Sequence, residues 1–260
     1  MSRRLFLAGL SALPLAVRWS FASATKSNLM FAGTYTNKGS SKGIYAYRWN
    51  PASGTLESLG LAAETSNPTF LAISPDQHHL YAVNEVGVYN GAKTGSVSAF
   101  SIDHASGKLT LKNVLPTDGG GPAHLAVDHT GKSVIVANYG GGSISSYAVQ
   151  ADGSLQGPVS HFQFSGHGPN PERQTTPHAH CATVSPDNRF VLVNDLGLDR
   201  VWVFRLDAAK GTLTANTPPF YESEPGAGPR HFAFHPNGKW AYSVNEMGSS
   251  VDALAWDRSN

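Results

Sequence analysis

Four stretches of the chain repeat one another. They read Pro68-Thr-Phe-Leu-Ala-Ile-Ser-Pro-Asp, Pro122-Ala-His-Leu-Ala-Val-Asp-His-Thr, Pro177-His-Ala-His-Cys-Ala-Thr-Val-Ser-Pro-Asp and Pro229-Arg-His-Phe-Ala-Phe-His-Pro-Asn, with prolines 54, 55 and 52 residues apart. Each continues in the same way. A short apolar run ends in Asn plus one residue (Asn84-Glu85, Asn138-Tyr139, Asn194-Asp195, Asn245-Glu246). A small residue and a β-branched one follow (Ser96-Val97, Ser143-Ile144, Ser250-Val251, with Arg200-Val201 as the variant), and Gly-x-Leu recurs at Gly54, Gly107, Gly153 and Gly211. Within one period, Leu71 to Ser74, Leu80 to Asn84, Val97 to Ile102 and Leu109 to Leu115 are strand-length, rich in β-branched and aromatic residues, and separated by Pro-Asp, Gly and Asn turns. None has helical periodicity. Repeated four-stranded units of roughly 50 residues predict a β-propeller, each unit a twisted meander packed face to face with its neighbours around a channel. A β-sandwich leaves the recurrence of the whole four-marker pattern unexplained.

Composition agrees with many tight turns: charged residues make up 14%, against about 25% in an average domain. Phe31 to Tyr35 matches the second strand of a unit, so the chain reads as three strands, three complete units of four, and three strands of a last unit. The expectation over residues 28–260 is an all-β, incomplete propeller of four-stranded blades, with two open blade edges and exposed apolar faces.

Residues 1–24 read as an export signal. Arg3-Arg4-Leu5-Phe6-Leu7 leads into an apolar stretch ending at Val17 and then Ala22-Ser23-Ala24. That stretch is shorter than a membrane span, so no membrane attachment is expected after signal removal. The adjacent arginines resemble a twin-arginine signal, which implies passage through the twin-arginine translocase and a periplasmic or secreted bacterial protein. An ordinary secretory signal is the alternative. The formal net charge is +1; without Arg3, Arg4 and Arg18 the 19 basic residues fall to 16 against 18 acidic ones, which argues against a nucleic-acid partner. The single cysteine, Cys181, excludes an intramolecular disulfide framework and a Cys-cluster metal site.

Gly228-Pro229-Arg230-His231 with Val244-Asn245-Glu246, Pro177-His178-Ala179-His180, Val193-Asn194-Asp195-Leu196-Gly197-x-Asp199-Arg200 and Ala137-Asn138-Tyr139-Gly140-Gly141-Gly142-Ser143 together resemble the seven-bladed lactonase family, of the 6-phosphogluconolactonase and carboxy-muconate cyclase type. Against seven blades, the units counted here amount to about 4.5. The resemblance implies hydrolysis or cyclisation of a small-molecule lactone, a sugar lactone with 6-phosphogluconolactone foremost, without cofactor or metal. It carries His180, Arg230 and Glu246 over as catalytic candidates; a further family arginine would fall beyond Asn260. An export signal fits a phosphorylated cytoplasmic metabolite poorly, which favours a periplasmic lactone.

Hairpin geometry gives a complementary reading. Arg230 and Glu246 are symmetric about Gly238 and should be cross-strand neighbours. The preceding unit sets His180 opposite Asp195 or Leu196, and the two earlier ones pair Ala123 with Tyr139 and Thr69 with Glu85. All ring one channel mouth, where a ligand would meet His124 and His231 as well; His178 and Asp195 complete the substrate-binding candidates. Lactone hydrolysis needs a base for water, donors for the developing oxyanion and, for an anionic substrate, a cationic anchor. Arg230 suits the anchor, and Glu246 beside it should have a depressed pKa, which makes His180 the base and Glu246 its water-orienting partner.

Plainer readings stand beside these. A cross-strand Arg–Glu pair is often only structural. His178 and His180 could bind zinc but lack an acidic or thiolate partner at suitable spacing. Asn84, Asn138, Asn194 and Asn245 read as turn or strand-end hydrogen-bonders, and Gly140-Gly141-Gly142 as a flexible loop, since no helix follows to present amides to a phosphate. The alternative function is a non-catalytic exported binding propeller, or an inactive fragment.

Overall fold

The computed structural model describes residues 28–257, so the leader expected over residues 1–24 lies outside the described residues. Eighteen strands and no helix occur among the described residues, in five antiparallel sheets. Sheet one is β1 (Leu29–Ala32), β2 (Gly43–Asn50) and β3 (Thr55–Glu64). Sheet two is β4 (Leu71–Ile73), β5 (His79–Asn84), β6 (Ser96–Ile102) and β7 (Leu109–Pro116). Sheet three is β8 (Pro122–Val127), β9 (Ser133–Asn138), β10 (Ser143–Val149) and β11 (Leu155–Gln163). Sheet four is β12 (Ala179–Val184), β13 (Phe190–Asp195), β14 (Arg200–Asp207) and β15 (Thr212–Glu222). Sheet five is β16 (Pro229–Phe234), β17 (Trp240–Asn245) and β18 (Ser250–Ala255). Every sheet is a meander of consecutive strands, as the repeat requires, and the first strands β4, β8, β12 and β16 neighbour one another in succession.

The turns between first and second strands are closed by side chains at one repeated position. Ser74 Oγ accepts from the His79 N–H (3.0 Å), Asp128 Oδ1 from the Ser133 N–H (2.7 Å) and Ser185 Oγ from the Phe190 N–H (3.0 Å). Each bond reaches across the turn from its first residue to the N–H that opens the second strand, the reason short acceptors, Ser and Asp, recur there.

The second strands show why these runs are apolar without alternation. β9 and β13 are buried at all six positions. On β9, Val134 and Val136 enter a core shared with Tyr81 and Val83 of sheet two, whereas Ile135 and Ala137 enter one shared with Val191 and Val193 of sheet four. A strand covered on both faces needs apolar residues at every position. Sheets one and two share the cluster around Ile44, Leu80 and Phe100, and sheets four and five the one around Phe190, Leu192 and Phe232. β17 has a similar sequence, yet its burial alternates, and Trp240, Tyr242 and Val244 stay exposed along one face.

Two sequence expectations about register are corrected. The first strands of sheets three, four and five pair as Pro122↔Asn138, Ala179↔Asp195 and Pro229↔Asn245, and each then shifts register by one residue at a β-bulge. Ala123, His180 and Arg230 are the bulged residues, so none is a direct cross-strand partner of Tyr139, Asp195 or Glu246. The bulge arises because two residues on the inner strand oppose one on its neighbour, and it re-aims the extra side chain. The second correction concerns alignment. Ala179, two residues beyond Pro177, occupies the place of Pro122 and Pro229. Asp195, not Asn194, occupies the place of Asn84, Asn138 and Asn245, each of which opens the pairing to the third strand (Asn84↔Ser96, Asn138↔Ser143, Asp195↔Arg200, Asn245↔Ser250).

Candidate active site

The bulges and the residues just after the second strands bring side chains from every sheet to one cavity. This cavity, of about 420 Å³, is lined by Tyr35 from sheet one, Thr69, Phe70 and Glu85 from sheet two, Ala123 and Tyr139 from sheet three, His180 from sheet four, and Arg230, His231 and Glu246 from sheet five. Arg173 enters from the connection between β11 and β12.

Arg230 and Glu246 meet despite the register shift. Glu246 follows β17 directly, its backbone N–H bonded to the Gly228 carbonyl (2.8 Å), and the bulge turns Arg230 so that its Nε donates to Glu246 Oε2 (2.8 Å). The other oxygen, Oε1, accepts from Arg173 Nη2 (2.8 Å), whose guanidinium also reaches the Tyr139 hydroxyl (3.4 Å). Partial burial works against ionisation of Glu246, but the hydrogen bonds and charges of Arg173 and Arg230 outweigh it and hold the carboxyl below its usual range. Sheet two repeats the arrangement with other chemistry: Thr69 Oγ1 donates to Glu85 Oε2 (2.6 Å), and the Tyr35 hydroxyl lies 2.9 and 3.0 Å from the two Glu85 oxygens.

His180 lies in the cavity wall, its ring 5.4 Å from Tyr139 and 5.1 Å from His231. Burial first, then Arg230 and His231, push its imidazole down to about 4, with Glu246 pulling the other way; its Nδ1 has no hydrogen-bond partner. The ring is therefore neutral at pH 7. His231 is also held down, by burial and Arg230.

The other candidates take different places. His124 lies below the cavity floor, packed on Phe70 (3.9 Å) and edge-on to His231 (5.5 Å), and burial with the neighbouring histidines pushes it down to about 3. His178 stacks under Tyr139 (4.6 Å) with Nδ1 3.0 Å from the Tyr139 carbonyl, which makes it a support for a lining residue. Asp195 is fully buried and apart from the cavity. It accepts from the His178 and Gly197 N–H groups (2.8 and 3.1 Å) and from Trp202 Nε1 (3.2 Å). The equivalent Asn138 and Asn245 instead donate, through Nδ2, to Thr117 O and to Ser250 Oγ and Asp252 Oδ1. Sheet four surrounds that position with donors only, so it carries an acceptor-only carboxylate. Asn194, shifted by one residue, donates to Ser243 Oγ of sheet five (2.9 Å).

Three lining residues, Arg173, Tyr35 and Phe70, had no place in the ring expected from the sequence; Thr69, Glu85, Ala123 and Tyr139 were expected there without an assigned role. Glu85 and Tyr139 occupy the same repeated position as Glu246, a signal the sequence contained. Arg173 lies outside the repeat, on the connection spanning residues 164–178, where the corresponding connections span only 65–70, 117–121 and 223–228. A connection of that length in a compact domain is itself a functional marker.

The metal-capable grouping differs from the one weighed in the sequence. His124, Cys181 and His231 hold equivalent positions on β8, β12 and β16, and their ligand atoms lie within 4.8 Å of one another. The Ala182 N–H points at His124 Nδ1 (3.4 Å), which leaves Nε2 as the proton-bearing nitrogen facing Cys181 Sγ (3.6 Å). Burial pushes the Cys181 thiol up, so this is a hydrogen-bonded neutral group. Gly140 to Gly142 form a tight turn instead of a flexible loop: a Cβ on Gly141 would lie 2.8 Å from the backbone of Gly119 and Gly120. A larger cleft of about 640 Å³, beside His167, Arg200 and Tyr221, lies away from the Arg–Glu–His group, and its Arg200 is stacked on Phe220 (4.1 Å).

Comparison with known proteins agrees with this architecture. The family described as "Lactonase, 7-bladed beta-propeller" matches residues 29–260. A Bacillus subtilis protein named 6-phosphogluconolactonase is 39% identical over 227 residues, covering 87% of this chain and 62% of its own length. One of the same name from Formosa agariphila is 34% identical, covering 87% and 64%. The chain thus spans about three fifths of the length of these curated relatives. Among solved structures, the periplasmic gluconolactonase of Pseudomonas aeruginosa superposes with a TM-score of 0.79 at 36% identity, over 89% of this chain and 64% of that one.

Proposed function

Because the chain belongs to the seven-bladed β-propeller lactonase family, we propose that it hydrolyses a sugar lactone at the channel mouth, with His180, Arg230 and Glu246 as the catalytic residues. The observation that carries this reading is their convergence on one cavity, with a neutral imidazole beside an ionised carboxylate held by two guanidinium groups. Water bound between His180 and Glu246 attacks the lactone carbonyl carbon and passes its proton to the imidazole. Arg230 stabilises the oxyanion that develops on the carbonyl oxygen. As the ring C–O bond breaks, His180 returns the proton to the departing ring oxygen, giving the open hydroxy acid. With its imidazole at about 4, His180 is a weak base, and its protonated form draws support from the Glu246 charge.

The substrate class proposed is a gluconolactone, by likeness to relatives named 6-phosphogluconolactonase and periplasmic gluconolactonase. The periplasm is the proposed location, consistent with the leader sequence. The test is pH-stat hydrolysis of gluconolactone and its 6-phosphate by the full chain. His180→Ala and Arg230→Ala are each expected to lower kcat/KM by about 10²–10⁴-fold. Unchanged turnover in both variants removes the residue assignment. No hydrolysis of either lactone favours a binding module.

A further inference from the structure

In the free cavity both oxygens of Glu246 are engaged: Oε2 accepts from Arg230 and Oε1 from Arg173, so each oxygen keeps only one of its two lone pairs for a water. The two guanidinium groups share one carboxylate and leave one positive charge uncompensated. Each has five N–H donors, of which this carboxylate uses one. All three side chains are partly solvent-exposed in the cavity, at 47% for Arg173, 43% for Arg230 and 31% for Glu246. Ion pairs at that exposure are weak and open to competition.

Arg173 differs from Arg230 in how it is held. The next residue, Gln174, is fully buried; its Nε2 donates to the Leu196 carbonyl (2.9 Å) and Asp199 Oδ1 (2.7 Å), and its Oε1 accepts from the Asn170 N–H (3.1 Å). Asp199 in turn accepts from the Gly226 and Gly228 N–H groups (2.7 and 2.8 Å). The backbone under Arg173 is thus fixed to sheet four and to the approach of β16, and only the side chain is free to turn.

We propose that Arg173 is a substrate-exchanged latch: the anionic group of a bound lactone takes the Arg173 guanidinium from Glu246, and the released Oε1 becomes the acceptor that orients the attacking water. This rests on the lactonase reading above. The groups facing Glu246 are Arg173 from the connection, Arg230 and His231 from β16, His180 from β12, Tyr139 after β9 and, across the cavity, Glu85 with Tyr35. Of these, the two arginines hydrogen-bond it directly. Loss of one of them, together with arrival of a second anion, raises the basicity of Glu246 and of His180 together, so the anion both docks the lactone and activates the groups that hydrolyse it.

Two measurements test this. In the first, the ¹³C carboxyl resonance of Glu246 is titrated with pH, with and without gluconate 6-phosphate, in the wild type and in Arg173→Gln. The ligand is expected to move the Glu246 titration upward in the wild type. In Arg173→Gln the titration starts higher and does not respond, and Arg173→Lys restores part of the response. A wild-type titration that ignores the ligand, or an equal response in Arg173→Gln, overturns the latch. In the second, pH profiles of lactone-6-phosphate hydrolysis should place the acid limb of kcat above that of kcat/KM in the wild type, with the two limbs coincident in Arg173→Gln. Arg173→Gln should also raise KM about tenfold for the phosphorylated lactone, and not for the unphosphorylated one. Hydrolysis without these differences overturns the latch and leaves the lactonase reading standing. An upward carboxyl titration without hydrolysis does the reverse.

Discussion

Burying several imidazoles beside a guanidinium has a cost that depends on pH. His124 is held at about 3 and His180 at about 4, both chiefly by burial, whereas a histidine in an unfolded chain titrates near 6.5. A folded-state value below the unfolded one means that the unfolded chain takes up protons the fold refuses. The associated stability is therefore complete above about pH 6.5 and is lost as pH falls from there toward about 4 for His180 and about 3 for His124. Phe70 occupies on sheet two the place of His124 on sheet three, so His124→Phe is a substitution the repeat itself suggests. It should flatten the acid limb of urea-measured stability by up to about 1.4 kcal/mol per pH unit. An unchanged slope would mean that His124 is already protonated in the fold. At this scale the sequence was partly legible. The Arg230–Glu246 pair and the low basicity of Glu246 followed from residue type and approximate symmetry, although the contact is made through a bulge and not by direct pairing. Asp195 was misaligned because two extra residues after Pro177 and the Asn194-Asp195 dipeptide disguise the true alignment, which the strand register reveals.

Strands and turns were the most legible level, because a four-fold recurrence of the same markers reports periodicity that no single segment could. What the repeat could not report lies outside it. The connection over residues 164–178 is far longer than its counterparts in the other sheets, so neither its path nor the inward direction of Arg173 could be read from a pattern. Its seat is Gly197: a Cβ there would lie 2.0 Å from the Thr176 carbonyl oxygen and 2.9 Å from the His178 nitrogen, both backbone atoms. Gly197→Ala should therefore push the connection off sheet four, with a stability loss of about 1–3 kcal/mol by denaturant titration. It should also bring a rise in KM for the phosphorylated lactone like that of Arg173→Gln. A variant as stable and active as the wild type would show that the connection yields without consequence to Arg173.

Across the whole molecule, stability comes from sheet-to-sheet cores, one between each successive pair. The fifth sheet has a partner on one face only among the described residues. On the other, Trp240, Tyr242 and Val244 of β17 line up with Val251 of β18, which is 61% exposed. A contiguous apolar sheet face of this kind promotes association. Light scattering after size exclusion should show concentration-dependent self-association of the 260-residue chain, reduced in Val244→Lys/Val251→Lys; a monodisperse monomer at all concentrations would contradict this. The bulge has a different bearing on the molecule's history and reuse. Its slot is filled by alanine, histidine or arginine on hairpins that are otherwise alike, so the cavity is assembled from modules whose chemistry is exchangeable one residue at a time, with the cores beneath undisturbed. Ala123, whose side chain brings no polar atom, is the natural vacancy at which to graft a new recognition group.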